Sequence, residues 1–412
     1  MKCFIDHQVV LFRAPEGPLV DHVGPFAGSL QEQGYAPISI HRQVLLVTCF
    51  SRWLKQNGVA LHHISSDHCS RYLRYRARRM QPDSMDASSL RHLIDFLQRE
   101  RVITAENIRA PRLTPAEQCA QAYAQHLREV RGLAEATIVH HVPFICGFLT
   151  DCFGDSPVML SRLSAGDVVR FVQRQAPHLH LKRGKLLTSA LRSFLRYARY
   201  RGEVALDLAA AVPVVANWSM PSIPRAIGVD QVRQLLASID RRTAIGLRDY
   251  AILLLLARLG LRSGEVAFLE LDDIDWDAGQ VSIRGKGGQC SALPLPPDVG
   301  EAIAAYLFHG RPRSSDRRVF LRSRAPVRGF MSQVAIGSIV RHALQRTGIQ
   351  APTRGAHQFR HALASQMLHR GASLAEIGEV LRHHSPQTTS IYAKVDLTAL
   401  RTLALPWPGG AR

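Results

Sequence analysis

Three short clusters near the end of this 412-residue chain carry the side chains best suited to chemistry: GLRSGEV at 260–266, HQFRH at 357–361 and LRHHSPQTTSIY at 381–392. They gather Arg262, Arg360, His357, His383 and Tyr392. Two guanidiniums can grip the non-bridging oxygens of one phosphodiester. A tyrosine hydroxyl can attack the phosphorus and form a covalent ester, while histidines move the protons. His357 and Arg360 stand at i, i+3, which on a helix places both on one face. No acidic cluster of metal-ligand type accompanies them. The set points to strand transfer on a nucleic acid with neither metal nor cofactor.

A phosphodiester substrate asks for a basic protein. Lys and Arg number 52 against 33 Asp and Glu, a net charge of +19, which favours a polyanionic partner. With 46% hydrophobic and 21% charged residues, the chain is globular rather than disordered. A membrane is not expected: the longest apolar run, Ala251 to Ala257, is too short to span a bilayer and fits a buried helix. The N-terminal MKCFIDHQVV places an acid where a signal peptide is apolar. Seven scattered cysteines, an odd number without zinc spacing, read as reduced thiols of a cytoplasmic protein.

These side chains need elements to hold them, and the expected architecture is mainly α with a small antiparallel sheet. The first half contains one helical plan twice. YAPISIHRQVLLVTCFSRWL at Tyr35 and LAEATIVHHVPFICGFLTDC at Leu133 are offset by 98, Tyr72 matches Phe171 at 99, and Leu90 matches Leu191 at 101. The boundaries are 1–110 for an N-terminal helical domain, a possible duplicate of a helical domain at 113–212. Ser65, Ser66 and Ser164 read as helix N-caps. Arg192, Arg196 and Arg199 make a basic stripe on one helix, suited to a DNA backbone, and RYLRYRARR at 71–79 is a second basic run. VPVVANWSMPSIP makes 213–224 a linker. The third domain, 225–412, opens with helices. DDIDWDAGQVSIRGKGGQCSALPL then reads as three short strands with turns at 277–279 and 285–288, and helices follow until Pro406 and Pro408.

The order and spacing of the three clusters resemble the catalytic domain of the tyrosine recombinase (phage integrase) family over about residues 225–400. The 113–212 unit resembles that family's helical core-binding domain. The resemblance implies that Arg262 and Arg360 hold the scissile phosphate and that Tyr392 is the nucleophile. It implies that His357 donates to a phosphate oxygen or accepts the tyrosine proton, and that His383, nine residues before Tyr392, is the last histidine. Glu265 matches a bracing acid. Lys286 in RGKGG matches the hairpin lysine that protonates the leaving 5′ oxygen. An ordinary lysine pKa of about 10.4 would need lowering by Arg262 and Arg360. His361 reads as a structural hydrogen-bonder. Before the last histidine the family usually has glycine; here Arg382 stands there, an added cation near DNA. Seven arginines in RPRSSDRRVFLRSRAPVRG at 311–329, Arg313, Arg317 and Arg318 among them, read as a loop tracking phosphates.

The expectation is a site-specific recombinase of a mobile element, located in the cytoplasm with the bacterial nucleoid. It would clamp duplex DNA and act through a 3′-phosphotyrosyl bond and a Holliday junction. The partners would be double-stranded DNA and a homotetramer, or sister recombinases. Leu397, Leu400 and Leu403 of the tail would dock on a neighbouring subunit or on their own domain. A topoisomerase of type IB character and a silent DNA-binding accessory protein are the alternatives.

Overall fold

A computed structural model describes residues 3–5, 9–11, 14–81, 83–103, 113–214, 226–285, 290–383 and 385–395. The chain divides into two compact units: residues 106–220, and residues 1–105 together with 221–412.

The first unit begins with an antiparallel hairpin of β1 (Cys3–Ile5) and β2 (Val9–Leu11). Four helices follow: α1 (Val20–Glu32), α2 (Pro37–Gln56), α3 (Ser66–Ala77) and α4 (Asp86–Arg99). On α4, Leu90, Leu93, Ile94 and Leu97 recur at i, i+3, i+4 and i+7, so one stripe must be buried. It packs in a core with Phe26, Val44 and Phe50. Phe50 meets Tyr72 with ring centroids 5.1 Å apart.

Residues 106–220 repeat the order: α5 (Pro115–Glu129), α6 (Glu135–Phe153), α7 (Ala165–Gln175) and α8 (Leu181–Tyr200). Relative to the earlier run, α6 begins 98 residues after α2, α7 begins 99 after α3, and α8 ends 101 after α4. A single 3₁₀ turn separates the second and third helix in each run, at Leu61–His63 and Leu160–Arg162. Phe148 lies 5.2 Å from Phe171, matching Phe50 and Tyr72. Ser164 closes a capping box with Asp167. Ser65 makes no side-chain cap, and its Oγ contacts His68 Nδ1 at 2.7 Å instead. By length and composition α6 alone among the described helices could cross a membrane, yet Ile138, Ile145, Phe148 and Leu149 are buried in this unit's core.

The rest of the first unit holds α9 (Val229–Ala237), α10 (Ala244–Leu259) and α11 (Ser263–Ala267). A three-stranded antiparallel sheet follows in the order β3 (Ile274–Asp275), β4 (Gln280–Arg284), β5 (Cys290–Pro294), with Val281 paired to both Ile274 and Leu293. Then come α12 (Pro297–His309), α13 (Val334–Thr347), α14 (His357–His369), α15 (Leu374–Val380), α16 (Pro386–Thr389) and a 3₁₀ segment, Ser390–Val395. The apolar run of α10 is buried throughout 251–256 and forms the centre of the core. Lys286, His384 (the histidine beside His383 that could compete for its role), Leu397, Leu400, Leu403 and most of the linker lie outside the described residues.

Candidate active site

Gly260 ends α10 with φ +58, a left-handed conformation in which glycine carries no steric penalty. Leu381 and Leu363 crowd the position: a Cβ there would lie 2.9 and 3.0 Å from their side chains. This stop points the next residues at α14. Arg262 caps α11, and Glu265 reaches back to it, accepting from its backbone N at 2.8 Å and its Nη1 at 2.7 Å. Arg360, on α14, is 1% exposed. Its Nη1 donates to the carbonyl of Gly260 at 2.7 Å, and its Nη2 to that of Leu381. A guanidinium has five N–H donors, and these carbonyls take two of them. Burial and the neighbouring cations Arg262 and Arg382 lower the Arg360 pKa to about 10, so it stays charged at neutral pH.

Arg382 explains why glycine suits its position: its φ is +53, which L-residues adopt at a cost of about 1–2 kcal/mol. Its side chain turns inward, with Nη2 donating to Glu265 Oε2 at 2.8 Å. One buried carboxylate thus braces two guanidiniums, and Arg382 stands inside the site rather than on an outer DNA-facing surface.

Tyr392, in the 3₁₀ segment, is 1% exposed, packed with Ala364, Ile377 and Leu381. Its Oη lies 2.9 Å from His361 Nδ1. Burial raises the Tyr392 pKa, opposed by the charge of Arg360. The His383 ring lies parallel to that of Tyr392 at 6.5 Å, and its Nδ1 contacts Thr389 Oγ1 at 2.8 Å. His357 meets His361 edge-on at 4.5 Å. Burial first, then surrounding cations and histidines, push the pKa of His361 and of His383 down to about 4 and lower that of His357. All three imidazoles are therefore neutral, and a neutral imidazole can accept a proton. The structure brings Arg262, Glu265, His357, Arg360, Arg382, His383 and Tyr392 together. It adds His361, whose i, i+4 spacing from His357 was the available signal. Lys286 lies outside the described residues, and none of the described residues forms a metal-binding cluster.

The expected DNA-contact arginines divide. Arg192 donates to the carbonyls of Val212 and Pro213 at 2.8 and 3.1 Å, and Arg199 pairs with Asp207. Arg196 is exposed and, with Arg131 and Arg192, lines a concavity of about 820 Å³. In the 311–329 loop, Arg318 donates to the Phe330 carbonyl and lies over the Phe268 ring, and Arg317 pairs with Asp272. Arg311 binds the carbonyls of Asp316, Arg318 and Val319. Arg311 and Arg318 brace the loop from within, while Arg317, Arg313 and Arg324 are exposed.

A helical fold with a small sheet, two braced guanidiniums, neutral histidines and a tyrosine define a DNA strand-transfer enzyme acting through tyrosine. The phage integrase family profile matches residues 225–398. The putative integrase/recombinase y4rA of Sinorhizobium fredii (strain NBRC 101917 / NGR234) is 55% identical over 412 residues, covering 100% of both chains. The tyrosine recombinase XerD of Mycobacterium tuberculosis (strain ATCC 25618 / H37Rv) is 35% identical over 231 residues, 53% of this chain and 71% of that one. Among solved structures, the XerH site-specific recombinase bound to palindromic difH substrate after cleavage shares the fold, with a TM-score of 0.55 at 18% identity. That match covers 70% of this chain and 84% of the other. A lambda integrase (75–356) dimer bound to a COC′ core site gives 0.52 at 15%, covering 67% and 94%. The chain belongs to the phage integrase family of tyrosine recombinases. It is a site-specific recombinase, and DNA is its partner.

Proposed function

We propose that this recombinase cleaves one strand of its site by attack of Tyr392 on a phosphodiester held by Arg262 and Arg360. The Tyr392 oxygen bonds to phosphorus as the P–O5′ bond breaks, leaving a 3′-phosphotyrosyl ester and a 5′ hydroxyl. His361 takes the tyrosine proton, and His357 and His383 donate to the phosphate oxygens through their N–H groups. Lys286 supplies the proton to the leaving oxygen. A 5′ hydroxyl from a partner duplex reverses the step, through a Holliday junction held by four like subunits or with sister recombinases. The helical unit 113–212 holds the DNA backbone. The setting is a mobile element acting on bacterial DNA in the cytoplasm.

The observation that carries this reading is the Tyr392 hydroxyl against neutral His361, beside the Arg360 charge. A suicide DNA substrate tests it. Tyr392→Phe removes only the nucleophilic oxygen, so binding persists and the covalent adduct disappears; a full-strength adduct in that variant sinks the reading. Arg262→Ala lowers cleavage by about two to three orders of magnitude, because a donor aimed at developing charge is lost. Cleavage continues in excess EDTA.

A further inference from the structure

The two helical runs share their elements, yet matched positions face different partners. Beside α5, α6 and α8, the concavity of about 820 Å³ is lined by Arg131, Leu133, His141, Ser193 and Arg196. At the offsets of 98 and 101 defined by the helices, the matching residues of the first run are Gln33, Tyr35, Gln43, His92 and Asp95. There the face meets protein. The backbone N of Val327 donates to the Gln33 carbonyl at 2.8 Å. Val327 sits so close to Gly34 that a Cβ on that glycine, whose φ is +78, would lie 2.6 Å from its Cγ2. Behind this contact His92 Nδ1 lies 3.4 Å from both Tyr35 Oη and Gln43 Oε1. The charges of Arg322 and Arg328 reach Tyr35, and that of Arg328 reaches His92.

Charge separates the two faces. A basic loop is repelled by a face carrying Arg131 and Arg196 and accepted by one carrying Gln33 and Asp95. Phosphates have the opposite preference. We propose that residues 14–103 duplicate the DNA-holding helical unit but have turned its binding face to protein. That face seats the chain's own 321–329 loop and so fixes where the neighbouring arginines stand, and it does not hold DNA. The contrast rests on reading 113–212 as a DNA-holding unit.

Hydrogen exchange on the full chain without DNA tests the seat from both sides. Val327→Ser alters only the loop, and Gly34→Val fills the space it occupies. Each should lower protection of the 321–329 peptide about tenfold while α2 and α4 keep theirs; unchanged protection in Val327→Ser overturns the seat. A salt titration of duplex binding tests the division of labour. Replacing both Arg131 and Arg196 by alanine should reduce the log–log slope by about two. Replacing Arg91, the exposed cation of α4 beside His92, by alanine should leave it unchanged, and a fall there overturns the proposal. If instead the arginine pair leaves the slope unchanged, the DNA-holding assignment of 113–212 fails and the contrast with it, while the exchange result still reports on the seat.

Discussion

Phe50 and Phe148 occupy the same place in the two helical runs. Both are fully buried, and each packs against an aromatic of the third helix, Tyr72 or Phe171. At the surface the runs part: Asp95 stands where the other has Arg196, and Gln33 where it has Arg131. Core positions resist change because a lost side chain leaves a cavity, whereas most surface substitutions shift stability by less than about 0.5 kcal/mol. A few exposed charges can therefore give one scaffold a new partner at little cost to folding.

The comparison breaks most sharply at the shared core. Phe50→Ala and Phe148→Ala should each destabilise their own run by about 3–5 kcal/mol. Exchange monitored along the chain should show Phe50→Ala also releasing the 321–329 peptide and Phe148→Ala leaving it protected. Release of that peptide by both would erase the distinction.

A charge transplant has a smaller effect. Gln33→Arg combined with Asp95→Arg gives the first run the charge of the second and sets like charges against Arg322 and Arg328. Protection of the loop should fall by about fivefold, equivalent to about 1 kcal/mol. Undiminished protection would mean that charge does not select the loop.

The smallest effect is that of pH. Burial lowers the His92 pKa from its ordinary value, aided by Arg91 and Arg328 and opposed by Asp95. The neutral form is thus favoured in the folded chain. Its contribution is present above the unfolded pKa of about 6.5 and is lost as the pH falls below it. The protection factor of the 321–329 peptide should drop between about pH 7.5 and about pH 5.5, and His92→Gln should remove that drop.

Much of this was legible from the order of residues. The α8 stripe, the strands around Val281 and the Ser164 cap each follow from local spacing, and the grouping of Arg262 with Arg360 and Tyr392 follows from the order of three clusters that resemble one family. Other features were not. Ser65 has the residue type of a cap, but its hydroxyl goes to His68. Arg192 and Arg318 are basic enough for DNA, yet each gives one of its guanidinium nitrogens to backbone carbonyls. A stripe of arginines records charge and leaves open which acceptors fold against it.

The chemistry available and its place in the chain are carried by residue type: two guanidiniums, a set of histidines and a late tyrosine in a basic, largely helical chain. Residue type and short-range periodicity suffice for that, because helices and turns close within a few positions. Long-range packing turns Arg382 inward to share Glu265, 117 residues away. It alone sets His361 against the Tyr392 hydroxyl, and Val327 against Gly34. Such pairs depend on how whole elements pack, and no local pattern encodes which distant surface will arrive.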